Sequence, residues 1–181
     1  LFDNTRQNSL ANRFRKKRFK LFLEIIDELS KPVKILAVGG SELFWKMMGL
    51  TAQELVTVTI VNTEVINITL PNFKFFKCDA RDLAQFGDNE FDIVFSNSVI
   101  EHVGKFEDQK KMADEIIRTG KLYFVQTPGY YIPVEPHFLF PFFQFLPHAV
   151  KRFLVMRFNM GWFKKCKTKT EYAHYKFLRL K

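Results

Sequence analysis

Residues 33–41 read VKILAVGGS, and this stretch decides the fold because a run with strand character leads directly into a glycine turn. Apolar residues fill all but one position of 33–38, as in a strand that a parallel sheet buries on both faces. Pro32 precedes the run, and a proline disfavours helix in the residue before it. The pattern predicts a helix that ends before Pro32, a first strand at 33–38 and a turn at 39–41.

The same alternation continues along the chain. Amphipathic or helix-like spacing predicts helices at 9–29, 42–48, 106–118 and 149–160. Runs rich in β-branched and aromatic residues predict further strands at 55–61, 73–78, 91–95 and 122–125. Short apolar strands that alternate with helices predict an α/β fold, with a Rossmann-like sheet of about five parallel strands and helices on both faces.

The order of these patterns predicts three segments. An N-terminal amphipathic helix occupies residues 1–30, a Rossmann-like core occupies 31–126, and a Pro/Phe-rich lid with a basic C-terminal segment occupies 127–181. No convincing strand follows residue 147, so the C-terminal edge of the sheet is predicted to be missing. A fragment, a truncated gene product and a degenerate copy all remain open as explanations.

Charge is concentrated at the two ends of the chain. The net charge is +9, but residues 1–20 hold seven Lys and Arg against one Asp, and residues 151–181 hold ten against one Glu. Such ends suit phosphates, nucleic acid or anionic lipid, but the pattern favours a solvated basic surface over these ligands.

Targeting and metal-binding signals are weak. The basic first twenty residues lack the apolar region of a signal peptide, and the longest apolar stretch, 138–146, is too short to span a bilayer. The two cysteines and four histidines show no metal-ligand spacing, so no metal site is expected. We therefore predict a cytoplasmic protein, with a peripheral position at the inner membrane surface as the alternative.

Ligands of open parallel sheets bind beyond the carboxyl ends of the strands, where the strand order reverses. In this sequence the predicted strands end in glycines at 39–40, in a polar turn at 62–64, in Asp79 and in a polar turn at 96–98. Glycines permit close approach of the backbone to a ligand. Glu64 lies 25 residues past Gly39, near the spacing that suits a carboxylate on ribose hydroxyls. Asp79 can accept a hydrogen bond from an exocyclic amine.

These positions carry a family resemblance. The chain resembles class I S-adenosylmethionine-dependent methyltransferases, particularly bacterial small-molecule or lipid and saccharide members of the methyltransferase type 11 kind. The stretches that carry it are 34–45 (KILAVGGSELFW), 77–83 (KCDARDL), 91–103 (FDIVFSNSVIEHV) and 123–128 (YFVQTP). Residues 135–147 (EPHFLFPFFQFLP) are similar to one branch of that group.

The resemblance implies S-adenosylmethionine as the cofactor and assigns a role to each strand end. The methionine end would lie against Val38, Gly39, Gly40 and Ser41, the ribose on Glu64, the adenine beside Asp79 and Ala80, and the sulfonium above Asn97 and Ser98. Two departures stand out. The family's G-x-G-x-G loop is Gly-Gly-Ser-Glu-Leu at 39–43, and its usual acidic residue two places earlier is Ala37, which predicts a weaker hold on the cofactor's ammonium group.

The residues expected to act on the acceptor are fewer. His102 is the candidate general base because imidazole titrates near neutrality, with a structural or cofactor-adjacent role as the alternative. Tyr130, Glu135 and His137 follow the fifth strand and are candidate substrate contacts, with surface-loop positions as the alternative. The Phe-rich run at 138–145 would form a lid, an apolar acceptor channel or a membrane contact.

Two functions from different classes remain open. The first is methyl transfer from S-adenosylmethionine to a small-molecule, lipid-linked or saccharide acceptor. The second is a non-catalytic methyltransferase-like module that binds a partner or an anionic membrane surface. A nucleic-acid methyltransferase is disfavoured, because the fourth strand ends in Ser-Asn-Ser-Val at 96–99 rather than in an NPPY-type motif.

Overall fold

The computed structural model describes residues 10–51, 55–127, 134–135, 140–161 and 164–167. The chain divides into two compact units, Leu1–Gln126 and Thr127–Lys181, and each is described by itself.

The first unit is built on a sheet of five parallel strands in the order β3-β2-β1-β4-β5. The strands are β1 (Val33–Val38), β2 (Val56–Asn62), β3 (Phe73–Lys77), β4 (Phe91–Asn97) and β5 (Gly120–Gln126). β1 lies at the centre and pairs with β2 on one side and β4 on the other, so the strand order reverses between β1 and β4. The predicted Rossmann-like sheet of five parallel strands is confirmed. Within the described residues, no strand extends this sheet beyond β5.

Helices pack on both faces of the sheet, as the alternation predicted. The structure has α1 (Leu10–Glu28), α2 (Glu42–Met48), α3 (Phe106–Thr119) and α4 (His148–Arg157), with 3-10 turns at Ile100–His102 and Phe143–Phe145. α2 ends where the sequence predicted, because Gly49 takes the left-handed conformation (φ 86°) and donates its amide N–H to the Lys46 carbonyl. None of the described helices combines the length and the apolar character that crossing a membrane requires.

Alternate side chains of β1 enter two different cores. Ile35 and Ala37 lie in a core that also contains Phe19 and Phe22 of α1. Leu36 and Val38 lie in a second core with α3. A strand buried on both faces has no polar side to mark it, and this explains why residues 33–38 read as a nearly continuous apolar run.

The second unit has a small core of its own. Phe143, Val155, Met160 and Cys166 are buried together. A short antiparallel pair, β6 (Val134–Glu135) and β7 (Phe140–Pro141), forms a sheet separate from the five-stranded one.

Candidate cofactor site

A cavity of about 300 Å³ opens in the first unit, at the end of the sheet where β1, β2 and β3 finish. It is lined by Gly39, Val61, Asn62, Thr63, Cys78, Asp79, Ala80, Arg81, Val99, His102 and Val103. The cavity therefore joins the loops that follow four neighbouring strands, at the place where the topology predicts a ligand.

The glycine turn after β1 forms one wall. Gly39 and Gly40 have φ values of 76° and 79°, a conformation that other residues rarely adopt. The Gly39 amide donates a 2.8 Å hydrogen bond to the Val61 carbonyl, which holds the turn against the end of β2. A Cβ at Gly39 would meet Val99, whereas a Cβ at Gly40 would have no atom within 4 Å. The backbone at Gly40 is thus open to a close neighbour.

The other residues predicted to meet the methionine end, Val38, Gly40 and Ser41, are not among the described residues that line the cavity. Val38 is buried in the second core, and Ser41 stands at the N-terminal cap position of α2 without a side-chain capping bond. Ala37 is also buried, in the core on the opposite face of the sheet, and pairs in register with Phe95. An apolar, aromatic environment surrounds position 37, so alanine suits it better than a carboxylate would.

The loop after β2 presents an amide rather than the predicted carboxylate. Asn62 Nδ2 donates to the Gly40 carbonyl at 3.1 Å, and Asn62 Oδ1 accepts from the Glu64 amide at 3.1 Å. Asn62 and Thr63 line the cavity, while Glu64 is exposed and is not among its described lining residues. The polar turn at 62–64 was predicted to meet the ligand, but within it the ribose contact was assigned to Glu64 because of its spacing from Gly39. The position of Asn62 as the last residue of β2 was the available signal.

The loop after β3 carries a tightly held carboxylate. The Arg81 guanidinium donates from Nε to Asp79 Oδ1 at 2.9 Å and from its terminal nitrogen to Oδ2 at 2.6 Å. These hydrogen bonds outweigh partial burial and hold the pKa of the Asp79 carboxyl below its usual range. Asp79 and Ala80 both line the cavity, as do Cys78 and Arg81. Burial raises the pKa of the Cys78 thiol, which keeps it protonated.

The chain after β4 forms the facing wall. Asn97 ends β4, and Ser98 has a left-handed φ of 57° while its amide donates to the Gln126 carbonyl at 2.8 Å. A non-glycine residue in this conformation costs about 1–2 kcal/mol, and such positions cluster at functional sites. Asn97 and Ser98 are not among the described lining residues. The lining positions here are Val99, His102 and Val103.

His102 faces the cavity from the 3-10 turn that follows β4. Its side chain is 55% exposed, and its Nε2 lies 3.9 Å from Oε1 of Glu101, whose side chain is only 1% exposed. The imidazole of His102 is therefore accessible from the cavity and from solvent, with a buried carboxyl group beside it.

A second buried carboxylate supports the loop between β2 and β3. Glu42, in the first turn of α2, accepts hydrogen bonds from the Thr69 amide and hydroxyl at 2.6 Å and from the Leu70 amide at 3.2 Å, and it pairs with Lys46. Burial raises the pKa of this carboxyl, but these contacts prevail and lower it to about 2. No pattern in the sequence predicted that an anchoring carboxylate would follow the glycine loop.

Three predicted acceptor contacts cannot be placed. Tyr130 and His137 lie outside the described residues, as does the side chain of Glu135, so all three stay predictions. Across the part of the chain that the structure describes, no group of three His, Cys, Asp or Glu side chains is arranged to hold a metal ion.

Residues 37–122 match the model of the methyltransferase domain family. A 66-residue stretch is 33% identical to an uncharacterised protein of Mycobacterium tuberculosis strain H37Rv, and the match covers 36% of this chain and 22% of that protein. The chain thus spans about a fifth of the length of the curated relatives it matches.

Two solved structures illustrate the similarity of fold. The N-methyltransferase NodS of Bradyrhizobium japonicum, in complex with S-adenosylhomocysteine, is 12% identical with a TM-score of 0.45, over 64% of this chain and 62% of NodS. A SAM-dependent methyltransferase of Aquifex aeolicus is 19% identical with a TM-score of 0.41, over 57% of each chain. From the family match and the strand order, we conclude that residues 37–122 form a methyltransferase domain of the class I, S-adenosylmethionine-dependent family.

Proposed function

We propose that this protein binds S-adenosylmethionine in the cavity at the strand ends and transfers its methyl group to a small-molecule acceptor. The single observation that carries the proposal is the cavity itself, which joins Gly39 of the glycine turn to Asn62 and Asp79 at the reversal of strand order. When bound, the cofactor supplies an electrophilic methyl group on a sulfonium. The protein's task is to hold that group in line with the acceptor.

The residues present fit the parts of this cofactor. The open space beside Gly40 accommodates a chain that approaches the backbone closely. Asn62 uses one N–H and one oxygen lone pair within the protein, which leaves one donor and one acceptor for the ribose hydroxyls. The ionised Asp79 carboxylate suits the exocyclic amine of adenine. Glu64 would reach the ribose only from outside the described lining, and its predicted role remains a proposal.

His102 is proposed as the group that receives a proton from the acceptor. It lines the cavity on the wall that follows β4, and its Nε2 lies 3.9 Å from Oε1 of the buried Glu101. General-base assistance of this kind contributes about 10²- to 10⁴-fold in rate. Asn97, at the end of β4, and Ser98, directly after it, remain proposed cofactor contacts.

Isothermal titration with S-adenosylhomocysteine tests cofactor binding directly. We expect the wild-type protein to bind, and Asp79→Ala to weaken binding at least about tenfold, because a hydrogen bond to a charged group is lost. Asp114→Ala is the matched control, since Asp114 pairs with Lys110 on the exposed face of α3. No heat and no thermal shift at millimolar ligand would rule out the proposal.

Transfer can be followed with radiolabelled methyl groups and three defined acceptors: a catechol, an amino sugar and a polyprenyl phosphate. These stand for the small-molecule, saccharide and lipid-linked classes. His102→Gln should reduce transfer at least about 100-fold while leaving affinity for S-adenosylhomocysteine within about twofold. Equal rates of methyl transfer by the wild type and His102→Gln would exclude His102 as the general base.

A membrane-surface role is the second candidate, and the exposed face of α4 favours it. Phe153, 62% exposed, lies three residues after the exposed Val150 and four before the exposed Arg157, so the three share one helix face. Residues 136–170 contain no Asp or Glu. Aromatic rings beside cations without acidic neighbours suit an anionic lipid interface. Such attachment would serve a lipid-linked acceptor or a non-catalytic module equally well.

Co-sedimentation with vesicles of phosphatidylserine and phosphatidylcholine tests this role. Phe153→Ala should release much of the bound protein, whereas Ile117→Ala, which removes a similarly exposed side chain from α3 (58%), should not. Equal retention of both variants, or binding that neither salt nor Phe153→Ala changes, would exclude this surface.

A further inference from the structure

Arg81, which lines the cavity, joins the loop after β3 to the first turn of α3. Its Nε and one terminal nitrogen engage Asp79 in the loop after β3, and its other terminal nitrogen donates to Asp108 Oδ1 at 2.9 Å in the first turn of α3. Asp108 is itself held, because its Oδ2 accepts from the Lys105 amide at 3.1 Å. The planar guanidinium therefore has its orientation fixed from both sides.

This arrangement leaves Asp79 little hydrogen-bonding capacity. A carboxylate offers about four lone-pair sites, two on each oxygen. Oδ1 accepts from both the amide and the Nε of Arg81, each at 2.9 Å, and Oδ2 accepts from a terminal nitrogen at 2.6 Å. One site remains, on Oδ2. Asp79 can thus accept a single further N–H, in a direction that Arg81 determines.

From this geometry we propose that Arg81 is a positioning residue that makes the cavity selective for a purine with an amino group at C6. The proposal rests on the proposed function, since it concerns how the cofactor's base would be chosen. A 6-amino group fills the remaining site on Asp79 with an N–H. A 6-oxo group presents a lone pair to an ionised carboxylate, which is unfavourable.

The charge state of the pair favours such selection. The Arg81 hydrogen bonds hold the pKa of the Asp79 carboxyl low, so the carboxylate does not gain a proton with which it could accommodate an oxo group near neutral pH. Asp79 in turn raises the pKa of the Arg81 guanidinium, with Asp108 as the second cause. Lysine at position 81 would keep the positive charge but could not donate the pair of hydrogen bonds that the planar guanidinium makes to Asp79.

The test compares the affinities of S-adenosylhomocysteine and S-inosylhomocysteine by isothermal titration. We expect the wild-type protein to prefer the amino ligand at least about tenfold. Arg81→Ala and Arg81→Lys should each lower that preference at least about fivefold, mainly through weaker binding of the amino ligand. Asp108→Asn should lower the preference for the amino ligand less, because the two hydrogen bonds from the Arg81 guanidinium to Asp79 persist. Melting temperatures of all variants report folding separately.

The outcomes separate the two proposals. If Arg81→Lys weakens both ligands equally and preserves the preference, Arg81 is merely structural and the inference is wrong. If the wild-type protein binds both ligands with equal affinity, selectivity is absent but cofactor binding stands. If it binds neither ligand, the proposed function itself fails.

Discussion

A Cβ atom on Gly39 would lie 2.5 Å from Cγ2 of Val99, so the turn after β1 and the loop after β4 fit together without room for a methyl group. Gly40, the next residue, has nearly the same φ but open space around its Cα. Alanine at either position has an unfavourable backbone conformation, while only alanine at 39 also collides with a neighbour.

We therefore expect Gly39→Ala to destabilise the protein by about 2–4 kcal/mol and Gly40→Ala by about 1–2 kcal/mol. Urea unfolding measures both, and titration with S-adenosylhomocysteine measures whether the turn still binds. Val99→Ala in the Gly39→Ala background should recover part of the loss, because it removes the colliding methyl group. Equal destabilisation by the two glycine variants would contradict this account of the turn.

Most of the fold could be predicted from the sequence because each strand is short, apolar and bounded by a turn. β1 was predicted at its observed bounds, and α2 likewise, since Pro32 and Gly49 mark the adjoining ends. The short 3-10 turn at Ile100–His102 was not predicted, because three residues are too few for a periodic pattern. It nevertheless carries His102 to the cavity.

The site was only partly predictable, for a physical reason. Of the cofactor contacts predicted from strand-end position, Gly39, Asp79 and Ala80 line the cavity, and their contact with a cofactor stays a prediction. Side-chain pairing cannot be read from spacing, so neither the fork between Arg81 and Asp79 nor the contact of Asn62 with Gly40 was foreseen. The contact of Asn62 with Gly40 depends on loops that meet only when neighbouring strands align, and the contact of Arg81 with Asp79 depends on the local conformation of the loop after β3.

Asn62 and Glu64 are both candidates for the contact with the ribose hydroxyls. Asn62 joins the loops after β1 and β2 through the Gly40 carbonyl and the Glu64 amide, and it lines the cavity. We expect Asn62→Ala to weaken S-adenosylhomocysteine binding about tenfold, because both the ligand contact and the loop connection are lost. Glu64→Gln should weaken it about twofold or less. A larger effect at Glu64 would support the carboxylate predicted from the sequence.

Glu42 should make the free energy of unfolding depend on pH in the acid range. The pKa of its carboxyl is about 2 in the folded protein, against an ordinary value of 4.5. A lowered folded pKa contributes stability that is fully present above the unfolded value and is lost as the pH falls from about 5 towards 2. The contribution is on the order of 3 kcal/mol. Glu42→Gln should be less stable at pH 7 and should lose less stability on acidification.

Urea unfolding at pH 7, 5, 4 and 3 measures this dependence. Glu107→Gln is the control, since Glu107 is an exposed carboxylate in the first turn of α3 and should leave the pH slope nearly unchanged. If the unfolding free energy of Glu42→Gln depends on pH as steeply as that of the wild type, other carboxylates dominate acid unfolding. The hydrogen bonds of Glu42 to Thr69 and Leu70 would then contribute little.

Arg118 should be a major determinant of stability away from the cavity. Its guanidinium donates to the Leu83 and Phe86 carbonyls at 2.9 and 2.8 Å and also binds Glu115, so it fixes the segment between β3 and β4 to α3. Arg118→Met should cost about 2–3 kcal/mol in urea unfolding, because partly buried acceptors lose their donors. Lys110→Met removes an exposed ion pair on the same helix and should cost under about 0.5 kcal/mol. Similar losses for the two variants would mean that the segment is held by burial of its apolar side chains rather than by these hydrogen bonds.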